Sequence, residues 1–500
     1  ISASLGDDRD VARSFGRNNL PSKGSSVPTA HEILSIDPDR VADELGLRGT
    51  LTVGRNDGLA SMLRVVQSHI RTLLLDHKDE ETTLLPSEAA QSNATSSFAS
   101  NIDSDDGCEQ VAMLLSGGVD SSVALNLLKQ QGYTVRAFYL KIWLEDELSH
   151  LGQCPWEDDW DMCQKVCAQA GVPLEAVSLQ EQYKQKVISY TVEEASKGRT
   201  PNPDIMCNSM VKFGCFYDAI AGRDFDYVAT GHYARLVTDD DGTKRLTRAP
   251  DDVKDQSYFL SALTQKQLER VLFPIGDYTK AEVRELAQQF DLPNKSRPDS
   301  QGLCFLGKVK FDDFLGAYLG ENPGDIVDAK SGDVIGRHRG LWFHTVGQRK
   351  GIGNYLDTKI VSQGPWYVVA KDPSRNLVIV SNEYDEEVFQ SARKDFYVED
   401  IRWITGTLPS PLVDGTGQGR FQMKIRHGPK ITEGILNICD NGQSGHVQLD
   451  RKDGGLAPGQ FVAFYNLHDS ECLGAGVISE HHWATFLDKA FTLEKESISS

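Results

Sequence analysis

Apolar positions along this chain change their period twice. Between residues 108 and about 300, short apolar runs alternate with segments of helical spacing. "EQVAMLL" (109–115), "TVRAFYLKIW" (134–143), "LEAVSL" (174–179) and "FDYVATGH" (225–232) read as strands, and segments near 157–170, 181–197, 209–221 and 279–290 read as helices. This alternation predicts a doubly wound parallel sheet with helices on both faces. Ligands in such sheets gather at the carboxyl ends of the strands. From about residue 320 the pattern becomes short strand-like runs punctuated by Gly, Pro and Asp, among them "GDIVD", "PWYVVAKD", "NLVIVS", "GRFQMKIRH", "GQFVAFYN" and "GAGVI". That texture predicts one or two small β modules of barrel type. No repeat recurs at a fixed period. Ahead of residue 108, "HEILSIDPDRVADELGL" and "ASMLRVVQSHIRTLLLDH" have helical spacing, and "PSEAAQSNATSSFASNIDSDDG" (86–107) reads as a flexible polar linker. Residues 1–107 are read as a targeting remnant or a tether without a catalytic part.

Composition narrows this picture. The 500 residues suit two to four domains, and 39% hydrophobic with 25% charged residues suits a globular chain. No apolar run approaches the ~20 residues of a membrane span, so no membrane partner is expected. The net charge of −20 argues against indiscriminate nucleic-acid binding but leaves room for a local basic groove. Nine cysteines at irregular spacing do not resemble a secreted disulfide framework, so a reduced compartment is expected. The chain begins at Ile1 and shows no secretory signal; a lost organelle transit peptide stays open.

Three stretches carry chemistry. "LLSGGVDSS" (114–122) lies between a strand and a helix, where free backbone N–H groups and a helix dipole suit a phosphate. No Walker sequence with its lysine is present. A loop of N–H groups and hydroxyls suits a departing pyrophosphate, hence attack at an α-phosphate. In "TPNPDIMCNSMVKFG" (200–214), Pro201 and Pro203 stiffen the approach and a helical pattern resumes after Asn208. Asp204 and Cys207 then fall on one side of a turn. Cys207 near a helix start, with Lys212 close, is either an activated nucleophile or a small buried hydrophobe. Cys304 in "SRPDSQGLCFLG" (296–307) has the same two readings. Two such thiols beside a pyrophosphate loop suggest adenylation followed by sulfur transfer. Cys154, Cys163 and Cys167 read as structural or solvent-facing thiols, and Cys215, Cys439 and Cys472 as core residues. "KDQSYFL" (254–260) and "HTVGQRKGIG" (344–353) read as binding loops, with Lys254, Arg349 and Lys350 meeting phosphates or water.

From about 109 to 480 the chain closely resembles the tRNA-specific 2-thiouridylases, members of the pyrophosphate-loop ATPase superfamily. The matching stretches are "SGGVDSS", "GRTPNPDIMCN", "VKFG", "ATGHYAR", "KDQSYFL", "DSQGLCF", "HTVGQRKGIG", "PWYVV" and "ECLGAGVI". The resemblance implies an ATP-binding catalytic domain (108–305), a small central β-rich domain (306–384), a C-terminal β-barrel (385–485) and a tail (486–500), with 1–107 unaccounted for. It implies that Leu115, Ser116, Gly117, Gly118, Val119, Asp120, Ser121, Ser122, Leu140 and Gly231 contact ATP. Asn202, Pro203 and Asp204 would approach the target base. Cys207 would be the nucleophile and Cys304 the persulfide carrier, with Asp204 beside them. His232, Lys254, Asp255, Gln256, Arg426, His427 and Gln460 would contact tRNA. Leu114 departs from the family, which usually has a small residue there.

The implied reaction draws a wobble uridine from its stack, adenylates its C2 oxygen with ATP and Mg²⁺, and replaces that oxygen with the terminal persulfide sulfur of Cys304, directly or after Cys207 releases it as sulfide by forming a disulfide with Cys304. The sulfur comes from a donor such as a cysteine desulfurase or relay protein. A competing version has Asp204, Cys207 and Cys304 ligating an iron–sulfur cluster. Two rival functions remain: another adenylating enzyme such as an amidotransferase or lysidine synthetase, and a non-catalytic tRNA-binding relic. The long polar extension leans towards a mitochondrion or plastid; a bacterial member would be cytoplasmic.

Overall fold

The computed structural model describes residues 109–142, 156–299, 309–383, 393–412, 416–439 and 442–479. The extension 1–107, with its expected linker, and Cys154 and Cys304 lie outside the described residues.

The first layer is a five-stranded parallel sheet in the order β3-β2-β1-β4-β7. Its strands are β1 (Gln110–Leu114), β2 (Thr134–Lys141), β3 (Leu174–Ser178), β4 (Tyr227–Ala229) and β7 (Val271–Leu272). Side chains alternate across it, as strand geometry requires. Val111, Met113, Val135, Ala137 and Tyr139 bury one face against the helix Val119–Gln130 and the helix Trp156–Ala170. Ala112, Leu114, Phe138 and Leu140 bury the other face against the helices between Gln180 and Ala219. Both faces are covered, so the apolar runs are continuous rather than alternating. The doubly wound sheet anticipated from the β–α alternation is present. The strand expected over 225–232 is shorter, Tyr227–Ala229, with Thr230 N still donating to the Leu272 carbonyl at 3.1 Å before the chain turns.

A hairpin of β5 (Ala234–Thr238) and β6 (Lys244–Arg248) follows β4. The central module is a five-stranded sheet, β10-β9-β8-β12-β11, in which β8 (Gly324–Asp328) and β12 (Leu377–Ser381) run parallel. Its other strands, β9 (Val334–His338), β10 (Asn354–Tyr355) and β11 (Tyr367–Asp372), pair antiparallel. The last module is a closed barrel, β13-β16-β15-β14-β17-β18. It comprises β13 (Asp395–Trp403), β14 (Gln418–Lys424), β15 (Thr432–Cys439), β16 (Ser444–Leu449), β17 (Phe461–Tyr465) and β18 (Cys472–Ile478). Closure removes the open edges a sheet would otherwise expose. Trp403, Phe421 and Phe464 fill its interior at ring separations of 5.5 to 6.2 Å. Cys215 and Cys472 are buried as expected, but Cys439 is exposed. It ends β15 opposite Ser444, where the pleat turns it away from the barrel core.

A buried ion pair joins the barrel to the first module. Lys424 Nζ donates to Asp255 Oδ2 at 2.5 Å, and each residue is 1% exposed. Removing one partner of such a pair leaves the other charge unpaired in a low dielectric. Lys424→Met is therefore expected to lose about 3–5 kcal/mol, read by denaturant unfolding. Lys424→Met combined with Asp255→Asn, which keeps an acceptor for Ala249 N and Ser257 without the buried charge, should recover much of that loss. A fully additive double variant would contradict the coupling.

His344 is 3% exposed, and neither ring nitrogen has a hydrogen-bond partner. Burial first, then the nearby His338, Lys371 and Arg339, pushes its imidazole down to about 3. The folded chain keeps this ring neutral where an unfolded chain would protonate it. Its contribution is complete above the ordinary histidine range and is lost as pH falls from ~6.5 towards 3. His344→Leu should flatten the fall in melting temperature between pH 7 and 4, by up to a few kcal/mol in order of magnitude. Parallel melting curves for parent and variant would refute this.

Candidate active site

The order of the parallel sheet creates the cleft. The chain runs from β1 outward to β2 and β3, then returns to place β4 on the other side of β1. The connections after β1 and β4 therefore diverge, leaving a crevice at their carboxyl ends. Leu115–Ser122 leaves β1 at this point, and Gly231 follows β4. Leu140 lies near the carboxyl end of β2, the other neighbour of β1. All ten residues expected to hold a nucleotide thus come from three adjacent strand ends. A Cβ on Gly231 would sit 2.6 Å from the Ser121 backbone nitrogen, so the two walls meet only because this residue is glycine.

The loop itself is shaped by hydroxyls and by distant partners. Gly117 has φ +74°, a left-handed turn that aims the following N–H groups inward. Ser121 Oγ and Ser122 Oγ donate back to the Gly118 carbonyl at 3.1 and 2.9 Å, and Ser116 Oγ lies 3.2 Å from Ser121 Oγ. Ser116 stays exposed to the cleft. Asn294 Nδ2 donates to the Gly117 carbonyl and to Ser122 Oγ, both at 2.9 Å. Arg297 donates to the Gly117 carbonyl at 3.1 Å and also pairs with Asp159. Asp120, in the first turn of Val119–Gln130, accepts from Tyr233 Oη at 2.8 Å and from Lys280 Nζ at 2.7 Å.

Lys280 also reaches Asp299 at 2.8 Å, which in turn receives Lys254 at 2.7 Å and Arg284 at 2.5 Å. Burial pushes the Asp299 carboxyl up, but its three cations outweigh that and hold it well below the usual carboxylate range. Lys254 therefore faces the cleft's own charge network. Asp159, Lys280, Arg284, Asn294, Arg297 and Asp299 escaped the sequence reading. Arg297 and Asp299 stand in "SRPDSQGLCFLG", where only the thiol drew notice, and Lys280 carries no local signal at all.

The "TPNPDIMCN" stretch differs from expectation. The helix begins at Pro203, not after Asn208, with Asn202 Oδ1 accepting from Ile205 N at 3.3 Å as its cap. Proline at the first helical position and asparagine at the cap are a sufficient reason. Cys207 is buried and lies one turn in, beyond the turn where a helix end acts most strongly. From Cys207 to Cys215 the helix widens to π-type turns, with Phe213 kinked at φ −109°, ψ 18°. Asp204 keeps partial exposure on the same side as Cys207. Asn202 is largely committed to the fold, its Nδ2 lying 3.4 Å from Tyr258 Oη and 3.5 Å from Gln460 Oε1. Pro203 is buried. Among the described residues no three His, Cys, Asp or Glu side chains converge as metal ligands.

The residues expected to face tRNA divide into two groups. Arg426 and His427 are exposed, Arg426 held by Asp453 and His427 stacked on Phe259 at 4.7 Å. Asp255, by contrast, is buried against Lys424, Ala249 N and Ser257, so it organises its loop from within. That loop runs directly into a short helix, Ser257–Leu260. Gln256 Oε1 accepts from Tyr233 N at 3.0 Å. Gln460 donates to the Thr200 and Pro201 carbonyls at 3.1 and 3.0 Å, so it fastens the barrel to the "TPNP" approach. His232 packs between Phe213 and Phe273, and burial with the Lys212 charge pushes its imidazole down, so the ring is neutral. Arg349 and Lys350 are exposed. Cys163 and Cys167 are buried, and burial pushes their thiols up to about 12 and about 11, so neither is a nucleophile at neutral pH.

Comparison with known proteins agrees with this layout. Residues 109–308 match a family model described as the tRNA methyl transferase HUP domain, 312–382 a tRNA methyl transferase PRC-barrel domain, and 393–478 an aminomethyltransferase beta-barrel domain. A tRNA-specific 2-thiouridylase MnmA from Parabacteroides distasonis is 43% identical over 374 residues, covering 74% of this chain and 98% of that protein. The chain belongs to the tRNA-specific 2-thiouridylase family. A second 2-thiouridylase, from Porphyromonas gingivalis, is 41% identical over 372 residues, covering 74% of this chain and 99% of its own.

The close approach in this 2-thiouridylase cleft yields a test. Gly231→Ala must push the start of the helix Val119–Gln130 aside, because the obstructing atoms are backbone. ATP affinity should fall by about tenfold or more, the equivalent of ~1.4 kcal/mol. Titration of ATP into parent and variant, alongside their circular dichroism, reads this directly. Equal affinities would show that the loop does not line the nucleotide site.

Proposed function

We propose that this chain is an ATP-dependent tRNA 2-thiouridylase. The observation that supports this most is the collinear match over almost the full length of proteins named as 2-thiouridylases. The geometry supplies reasons for the chemistry. The loop after β1 presents N–H groups and the Ser116 hydroxyl at a helix start, which favours a polyphosphate. The uridine C2 oxygen attacks the α-phosphorus, the bond to the bridging oxygen breaks, and pyrophosphate leaves with the electron pair. The base is received beside the partly exposed Asp204, which orients it or holds a proton. Mg²⁺ is bound in such sites by one or two carboxylates plus substrate phosphates, and Asp120 in the first helical turn offers one such carboxylate. There it would neutralise phosphate charge.

Sulfur transfer follows at the same carbon. Cys304 carries a persulfide loaded by a donor protein of the cysteine desulfurase or relay type. Its terminal sulfur adds to C2, and AMP departs with the original oxygen. The Cys207 thiolate then attacks Cys304 Sγ, the S–S bond of the persulfide breaks, and its electron pair stays on the sulfur now bonded to C2, leaving a Cys207–Cys304 disulfide. A dithiol reductant then resets the pair. Arg426 and His427 on the barrel, with Arg349 and Lys350 on the central module, are the exposed groups that would steer the tRNA backbone.

Nucleoside mass spectrometry of tRNA from cells lacking this gene tests the assignment. 2-Thiouridine should disappear and return with the parent gene, but not with Cys207→Ser or Cys304→Ser. Both variants should still release pyrophosphate when given tRNA and ATP. Undiminished 2-thiouridine in the deletion strain would overturn the function, and thiolation by both variants would overturn the mechanism.

A further inference from the structure

The loop after β1 has no lysine of its own, yet a lysine reaches it. Lys280 is the first residue of the helix Lys280–Gln289, 160 positions beyond Asp120. Its backbone N–H is held by Asp251 Oδ2 at 3.1 Å, and Thr279 caps the helix through Glu282, so the base of the side chain is fixed. Its ammonium spans Asp120 at 2.7 Å and Asp299 at 2.8 Å, and lies 5.7 Å from the centre of the Tyr233 ring. An ammonium has three protons. Two are directed at these carboxylates, and among the described residues no third acceptor is present. Arg297, the cation on the loop's other side, differs: its guanidinium is engaged by the Gly117 carbonyl and by Asp159. It shapes the loop, whereas Lys280 retains a donor.

Asp299 fixes where that donor points. Lys254 and Arg284 grip it together with Lys280, and Arg284 also donates to the backbone carbonyls of Lys295 and Arg297 at 3.1 and 2.7 Å. The segment carrying Asp299 is thereby tied to the helix that carries Lys280. Asp251 faces the backbone N–H groups of Val253, Lys254 and Lys280, so it caps rather than competes for the ammonium.

We propose that Lys280 grips the pyrophosphate end of the nucleotide, and that Asp299 is the positioning residue that aims it. This rests on reading the cleft as an ATP site and specifies which residue holds the departing group. Charge builds on the bridging oxygen as the α-phosphorus bond breaks, and a fixed ammonium there stabilises it without reorganisation. The lysine that a Walker loop carries within its own sequence is here delivered from a later helix.

The full chain is tested with four ligands: ATP, AMP, inorganic pyrophosphate and inorganic phosphate, titrated by calorimetry with circular dichroism and melting curves in parallel. Lys280→Met should weaken pyrophosphate and ATP binding by about tenfold or more and leave AMP binding within about twofold. Lys280→Arg should restore most of the pyrophosphate affinity. Asp299→Asn should weaken pyrophosphate binding by several-fold, again sparing AMP. An equal loss of AMP and pyrophosphate affinity would assign Lys280 a merely structural role and overturn the proposal. So would a folded Lys280→Met that binds pyrophosphate like the parent. If the parent itself binds neither ATP nor pyrophosphate, the reading of the cleft fails instead, and the proposal with it.

Discussion

The buried pair between Lys424 and Asp255 is the constraint on which the rest of the cleft depends. Two charges out of water are costly, and well-packed apolar residues of similar volume often replace such a pair without loss. What apolar residues cannot replace is direction. Asp255 accepts from Ala249 N, Ser257 N, Ser257 Oγ and Lys424, so one carboxylate folds the loop around itself. The residues on either side, Lys254 and Gln256, then emerge at fixed points. One reaches Asp299 and the other the backbone of Tyr233. Tyr233 in turn meets Asp120 at the phosphate loop. A strand of the barrel thus sets the geometry of a loop on another module through a short chain of directional bonds.

The same logic recurs on the thiol side. Gln460 of the barrel holds the carbonyls of Thr200 and Pro201, and Asn202 caps the helix that leads into Cys207. In the proposed reaction the C2 oxygen is adenylated and sulfur then bonds to C2 itself, so the phosphate loop and the cysteine helix must share a frame. Gly231 closes that frame from the β4 side by touching the start of the loop's helix.

Local physics made much of this legible in the sequence. Apolar period distinguished the parallel sheet from the later β modules, because both faces of β1 and the middle of β2 are buried while β13, β14 and β15 alternate. The "SGGVDSS" corner declared itself through glycine, hydroxyls and a following helical period. The helix start at Pro203 was also written locally, in the order Asn-Pro-Asp, but a second proline at Pro201 drew the reading towards a stiff approach segment. Cys439 was misjudged because pleat direction at a strand end is set by its partner strand. What could not be read were pairings between remote positions. Asn294 reaches Gly117 across 177 residues, and Lys424 reaches Asp255 across 169. Only the fold brings such side chains together, and neither partner's neighbours hint at the other.

The apolar layer beneath one face of the parallel sheet does not stop at a module border. Phe314 and Phe343 of the central region join it, as do Ile404, Phe461, Ala463, Tyr465, Cys472 and Ala475 of the barrel region. The barrel and the central region also keep cores of their own, yet opening either strips apolar cover from this shared layer. Native-state hydrogen exchange in the parallel sheet is then expected to rise when a variant loosens the barrel or the central region. Modules that are legible separately in the sequence are thus coupled in stability through one shared apolar layer.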